Sequence, residues 1–144
     1  MIIKYEDSLS KVMVSSILKR FDMAFVEPLH AYIDLMSYGD KLSANAHFIL
    51  AYDGKLIGFV AYYINKDGQF AYIPLIAVLP EGRHRGLGHL MLSYLWAKLP
   101  IEINQVRLEV RESNVHAFFF YMREGFHVLS KSCEGKSLLI RNLR

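Results

Sequence analysis

One cysteine, one tryptophan and four prolines among 144 residues remove several kinds of protein from consideration. Cys133 has no second cysteine to bridge to, so no internal disulfide staples this chain. Without a tight His/Cys cluster around it, it suggests no zinc site, reads as incidental, and no metal is expected. Long hydrophobic runs are also missing. Polar or charged residues interrupt every apolar stretch well short of the roughly 20 residues that cross a bilayer, so no membrane span is expected. Met1 to Asp7 places Lys4 and Glu6 among apolar residues and lacks the basic-then-apolar order of a signal peptide, which points to a cytoplasmic location. Charge of one sign is scarce too: 17 Lys and Arg stand against 14 Asp and Glu, a net +3. The basic residues are dispersed and no aromatic-basic strand motif appears, so nucleic acid is not an expected partner.

What is present describes an ordinary globular chain. A hydrophobic share of 53% and a charged share of 22% match folded proteins, with no low-complexity segment, linker or repeat. The length suits one domain, residues 1–144. Residues 1–6 alternate as a strand. Asp7 or Ser8 then offers an N-cap for a helix carrying Leu9, Val12, Met13, Ser16, Ile17 and Phe21. A second helix is expected from Glu27 to Tyr38, with Leu29, Tyr32, Ile33 and Met36 on one face and Gly39-Asp40 closing it, followed by a loop to Asn45. His47–Tyr52 and Leu56–Ile64 read as strands joined at Asp53-Gly54, and Lys66-Asp67-Gly68 turns into a third, Gln69–Leu79. Leu87–Leu99 reads as a helix stopped by Pro100, and Val106–Val110 as a strand. Asn114 opens a helix to Arg123 with Gly125 at its C′ position, and Phe126–Ser130 and Ser137–Ile140 complete the sheet. The expected fold is α/β (α+β): one mixed, mostly antiparallel central sheet of about seven strands flanked by about four helices.

The segment Val78-Leu79-Pro80-Glu81-Gly82-Arg83-His84-Arg85-Gly86-Leu87-Gly88-His89 leaves a strand, turns at proline and opens a helix. A helix N-terminus presents free N–H groups and a partial positive charge, and Gly86 and Gly88 let the main chain approach an oxyanion without Cβ atoms in the way. Arg83 and Arg85 add charge that can reach phosphate oxygens. A P-loop would need Gly-Lys-Ser/Thr where Gly88-His89-Leu90 stands, and a dinucleotide fingerprint would need a third small residue in place of Met91. An isolated Gly-x-Gly is more simply a tight turn. Here strand, proline, arginines and helix come in order, which favours an anion cradle.

Arg83-x-x-Gly86-x-Gly88 after Ile76-Ala77-Val78 resembles the acyl-CoA-binding signature of the GCN5-related N-acetyltransferase (GNAT) superfamily. A second block, Leu108-x-Val110-x-x-x-Asn114-x-x-Ala117-x-x-Phe120-Tyr121-x-x-x-Gly125-Phe126, is similar to that family's next strand, helix and terminal Gly-Phe. The resemblance implies the acyl-CoA N-acyltransferase fold, with a splayed pair of parallel strands and a pantetheine arm paired to backbone near Ile76 and Val78 as though it were an added strand. It implies acetyl-CoA as cosubstrate, held by Ile76, Ala77, Val78, Arg83, His84, Arg85, Gly86, Leu87, Gly88, His89, Asn114 and Tyr121. Asn114 reads equally as a plain N-cap. Tyr121 stands where the family has a general acid for the leaving thiolate, although a buried aromatic at helical spacing would look the same.

The pattern departs from many relatives at the general base, because Gln69–Leu79 holds no glutamate. An ammonium must lose a proton before it attacks a thioester, which leaves Tyr72, Glu109, His116 or a chain of waters to take it. His47 reads as a satisfied core histidine. The acceptor is expected at residues 20–45, where Phe21, Phe25, Tyr32 and Tyr38 interleave with Asp22, Glu27, Asp34 and Asp40. That mixture suits a small-molecule primary amine, such as an amino sugar. The alternatives are a protein or peptide amine and a non-catalytic acyl-CoA sensor. A homodimer is conceivable through a sheet edge at Ser137–Ile140.

Overall fold

Period-two alternation makes the first strand, β1 (Ile2–Glu6), which pairs antiparallel with β2 (His47–Asp53) from Ile2 opposite Tyr52 to Glu6 opposite Phe48. The computed structural model describes residues 1–25, 28–31 and 33–143. Helix α1 (Lys11–Phe21) starts later than Asp7 or Ser8 would place it: the cap is Ser10, whose hydroxyl accepts from the Met13 N–H at 3.2 Å. Its buried side is Val14, Ile17, Leu18 and Phe21, while Val12 is 81% exposed.

The second helix is displaced further. Instead of running from Glu27 to Tyr38, the chain makes two short 3-10 turns, Asp22–Ala24 and Leu29–Ala31, before α2 (Leu35–Asn45) begins. The Asp34 carboxylate caps α2 by accepting from the Met36 N–H at 3.2 Å, so the expected terminator Gly39-Asp40 and the expected loop lie inside the helix. Gly39 is buried with Leu18 and Val14 carbons 3.5 and 3.8 Å from where a Cβ would stand; it serves close helix packing, not chain reversal. Val26, Glu27 and Tyr32 lie outside the described residues.

Strand β3 (Lys55–Asn65) follows β2 through Gly54, whose φ of 74° supplies the left-handed residue of the hairpin. Next come β4 (Phe70–Val78), α3 (Leu87–Lys98), β5 (Gln105–Arg111), α4 (Val115–Arg123), β6 (His127–Lys131) and β7 (Lys136–Asn142). The sheet order is β1-β2-β3-β4-β5-β7-β6, seven strands with one parallel neighbour pair, β4 and β5. That pair is short. Among the described residues it links only Phe70, Ala71 and Tyr72 to Gln105, Val106 and Arg107, and Pro74, two residues after Tyr72, has no N–H to donate to a neighbour. β7 lies inside the sheet, antiparallel to both β5 and β6, which corrects the expectation of an edge at Ser137–Ile140. The hairpin after β6 folds β7 back onto β5, burying Ser137 and Leu139, and leaves β6 exposed throughout as the edge.

The chain divides into two units, residues 1–63 with 75–98 and residues 64–74 with 99–144. The first has a core of Val14, Ile17, Leu18, Phe21, Leu29, Leu42, Phe48, Phe59 and neighbours, with Phe21 edge-on to Phe59. In the second, Val106, Leu108, Tyr121, Phe126 and Leu139 are buried. Among the described residues no helix is long and apolar enough to cross a membrane.

Candidate active site

At the end of β4 the Leu79 N–H bonds to the Ile57 carbonyl at 2.8 Å, and Pro80–Gly82 forms a 3-10 turn closed by Gly82 N–H to Leu79 O and Arg83 N–H to Pro80 O. Gly82 is the glycine that sequence reasoning passed over. A Cβ there would stand 3.0 Å from Val78 Cγ1 and 3.4 Å from Ile57 and Leu87, so the turn leaves no room for a side chain. His84 and Gly86 then take left-handed backbone, φ 62° and 71°, on either side of Arg85. Such alternation tends to aim successive N–H groups into one concavity, and open space surrounds the place where a Gly86 Cβ would be. Helix α3 opens at once, its first-turn N–H groups at Leu87 and Gly88 lacking intrahelical acceptors by geometry. Its start is anchored by buried Leu87 and Met91 against Gly58 of β3, where a Cβ would meet them at 3.1 and 3.2 Å. The turn is thus lined by backbone and not by side chains.

The two arginines are engaged by the chain itself. Arg83 donates from Nε to the Val78 carbonyl at 3.3 Å and from Nη2 to the Ala24 carbonyl at 3.0 Å. Arg85 pairs with Asp53 at 2.6 Å and holds that carboxyl below its usual range, while Lys55 at 2.9 Å does the same for Glu81. The Asp53-Gly54-Lys55 hairpin is therefore tied to the cradle by two exposed ion pairs. His84 and His89 are exposed, Ala77 is buried, and Ile76 and Val78 are half-buried on β4.

In the second unit Asn114 is an N-cap, its Oδ1 accepting from the Ala117 N–H at 3.3 Å. Tyr121, one turn from the end of α4, is 7% exposed with Phe120 and Phe126 edge-on at 5.3 and 5.5 Å. Burial pushes its phenol above the ordinary value of 10, so it stays protonated. Gly125, φ 93°, ends the helix as expected. Of the four suggested proton acceptors the fold joins two: the Tyr72 hydroxyl donates to Glu109 Oε1 at 3.2 Å across 37 positions of sequence. Burial first, and the Glu109 charge second, push the Tyr72 phenol up to about 12. His116 is exposed on α4. His47 is bonded to Asp7 at 2.9 Å and stacked on Tyr62, a satisfied histidine.

The residues expected to receive an acceptor are largely occupied. Phe21 is fully buried, and Phe25 and Tyr38 pack on the core. Asp34 is a cap, and Asp40 stands 4.0 Å from Lys11. The Asp22 carboxylate accepts from the His30 backbone N–H at 2.9 Å and from its Nδ1–H, which together lower its pKa, the backbone bond foremost. Glu27 and Tyr32 are outside the described residues. Among those described, no group of three or more His, Cys, Asp or Glu could hold a metal.

The first unit thus carries a strand, a glycine turn and a helix start in succession, and the second a buried phenol and a tyrosine-bound carboxylate. Residues 13–126 match the model of the acetyltransferase (GNAT) family, and the chain belongs to that family. It is 31% identical over 101 residues, 69% of its length, to the peptidyl-lysine N-acetyltransferase YiaC of Escherichia coli K12, a match spanning 63% of that relative, under two thirds of its length. Among solved structures it is similar to the ribosomal-protein-S18-alanine N-acetyltransferase of Escherichia coli, with a TM-score of 0.76 at 18% identity over 99% of this chain and 94% of that one. It is similar as well to the PaiA N-acetyltransferase of Thermoplasma acidophilum in complex with coenzyme A, with a TM-score of 0.70 at 18% identity over 99% of each chain.

Proposed function

We propose that this chain works as one domain, residues 1–144, and transfers the acetyl group of acetyl-CoA to the side-chain amine of a lysine in a protein or peptide. The observation that carries the reading is the glycine-lined backbone turn at Gly82–Gly88 opening α3, whose N–H groups suit a phosphate-type anion such as the pyrophosphate of acetyl-CoA. Acetyl-CoA supplies the activated thioester. Gly86, Leu87 and Gly88 bind its phosphates through N–H groups with Arg85 nearby, and Ile76 and Val78 offer main-chain groups to the pantetheine arm. A lysine amine has a pKa of about 10.4, so only about one in a few thousand is unprotonated at pH 7. Glu109 receives that proton, directly or through water, and the Tyr72 hydroxyl holds its carboxylate in place. Tyr121, which burial keeps protonated, donates its O–H to the departing thiolate as the C–S bond breaks.

The lysine acceptor is supported by the relative YiaC and by the structural duties that Phe21, Asp34 and Asp40 already have, which leave less of residues 20–45 for a small flat amine. The test is calorimetric titration with acetyl-CoA, followed by mass spectrometry of lysine peptides and of a panel of small amines including amino sugars. Binding near the micromolar range with acetylated lysine supports the reading. Turnover of an amino sugar alone restores the small-molecule acceptor. Binding without turnover of any amine leaves an acyl-CoA sensor, and no binding ends the proposal.

A further inference from the structure

Arg83 uses its donors in an unexpected way. Its Nη2 reaches the carbonyl of Ala24, 59 positions earlier in sequence, and its Nε returns to the carbonyl of Val78 at the end of β4. One side chain therefore joins the strand that leads into the cradle to the 3-10 turn Asp22–Ala24. The turn is held in its own right, because the Asp22 carboxylate accepts from the backbone and ring of His30 in the next turn, Leu29–Ala31, whose Leu29 is fully buried. Hydrogen bonds thus tie Val78 and Ala24 through Arg83, and Asp22, two residues before Ala24 in the same turn, to His30. A guanidinium occupied by two neutral carbonyls on different elements is placed to fix their separation, not to await a phosphate. A lysine, with a single nitrogen, could serve one carbonyl well but not both in this forked arrangement.

We propose that Arg83 is a positioning residue for the acceptor, fastening the turn Asp22–Ala24, and through Asp22 the turn Leu29–Ala31, to the end of β4, and not a ligand of the cofactor phosphates. This rests on the reading of the loop as the acetyl-CoA side and of the backbone at the turns Asp22–Ala24 and Leu29–Ala31, whose side chains are engaged in the fold, as part of the acceptor side.

The experiment compares wild type, Arg83→Ala, Arg83→Lys and His30→Ala in three readouts: acetyl-CoA affinity by calorimetry, acceptor KM and kcat with a lysine peptide, and amide hydrogen exchange of residues 22–31. For Arg83→Ala the acetyl-CoA dissociation constant should change by less than about threefold while acceptor KM rises about tenfold or more. Exchange at the His30 amide should quicken in Arg83→Ala and in His30→Ala, and Arg83→Lys should fall between Arg83→Ala and wild type. Loss of acetyl-CoA affinity by about tenfold or more with an unchanged acceptor KM would make Arg83 a phosphate ligand and overturn the proposal. Unaltered exchange over 22–31 in Arg83→Ala would overturn it as well. Should wild type bind acetyl-CoA yet acetylate no peptide, the lysine reading fails on its own, and the affinity and exchange measurements still decide the role of Arg83.

Discussion

The glycine loop and the pair Tyr72–Glu109 are built by opposite means. The loop is contiguous and glycine-rich, and the direction of its main-chain N–H groups follows from turn, left-handed residue and helix start in succession. Its arginines, the most eye-catching residues in it, are committed to the chain's own carbonyls and to Asp53. Tyr72 and Glu109 are far apart in sequence, each on a strand with nothing remarkable around it, and only the pairing of β4 with β5 brings hydroxyl to carboxylate. On the function proposed above, affinity would belong to a local backbone motif and proton transfer to a tertiary juxtaposition, and the two should fail separately when altered.

The largest effect should come from Gly86→Glu. A non-glycine residue at φ 71° is strained, and the new carboxylate would enter the open space that an anion is expected to fill, so acetyl-CoA affinity should drop by about 100-fold or more. Calorimetry on protein whose melting temperature is near wild type checks it, and retained affinity would show that the cradle is only a turn.

A sharper contrast separates the two proton-transfer groups. Glu109→Gln and Tyr121→Phe should each lower kcat by about 100-fold at pH 7 with acetyl-CoA affinity almost unchanged. Their pH profiles should differ. As pH rises toward about 10.4 the acceptor loses its proton unaided, so the Glu109→Gln defect shrinks while that of Tyr121→Phe persists. Equal defects across the range would remove Glu109 from the role of base, and a normal rate in Tyr121→Phe would remove the acid.

The smallest effect concerns Asp53, which competes with any incoming phosphate for Arg85. Asp53→Asn should tighten acetyl-CoA binding by about two- to fivefold at low ionic strength and by less in high salt. The sign with pH follows from the depressed Asp53 pKa: the ion pair is complete above the ordinary carboxylate range and is lost as pH falls through the lowered value. Titration of wild type and variant side by side checks this, and weaker binding by the variant would mean that Asp53 positions Arg85 for the ligand.

Much of this protein was readable from residue order alone. Apolar alternation, Asp53-Gly54, Asn114 with Gly125 and the Gly-x-Gly after Pro80 specified the seven strands, the last two helices and the glycine turn that opens α3, because each is decided by φ, capping or periodicity over a few neighbours. The segment from Asp7 to Asn45 was misplaced for a physical reason. Several residues there could cap or end a helix, and the choice of Ser10 and Asp34, with Gly39 in a helix interior, depends on how α1 and α2 pack. The location of the sheet edge likewise depends on which neighbour β7 finds, which no local pattern encodes. Side-chain commitments came last: Arg83 to Ala24, Arg85 to Asp53 and Tyr72 to Glu109 join residues 59, 32 and 37 positions apart, and only the folded chain could bring their atoms within reach.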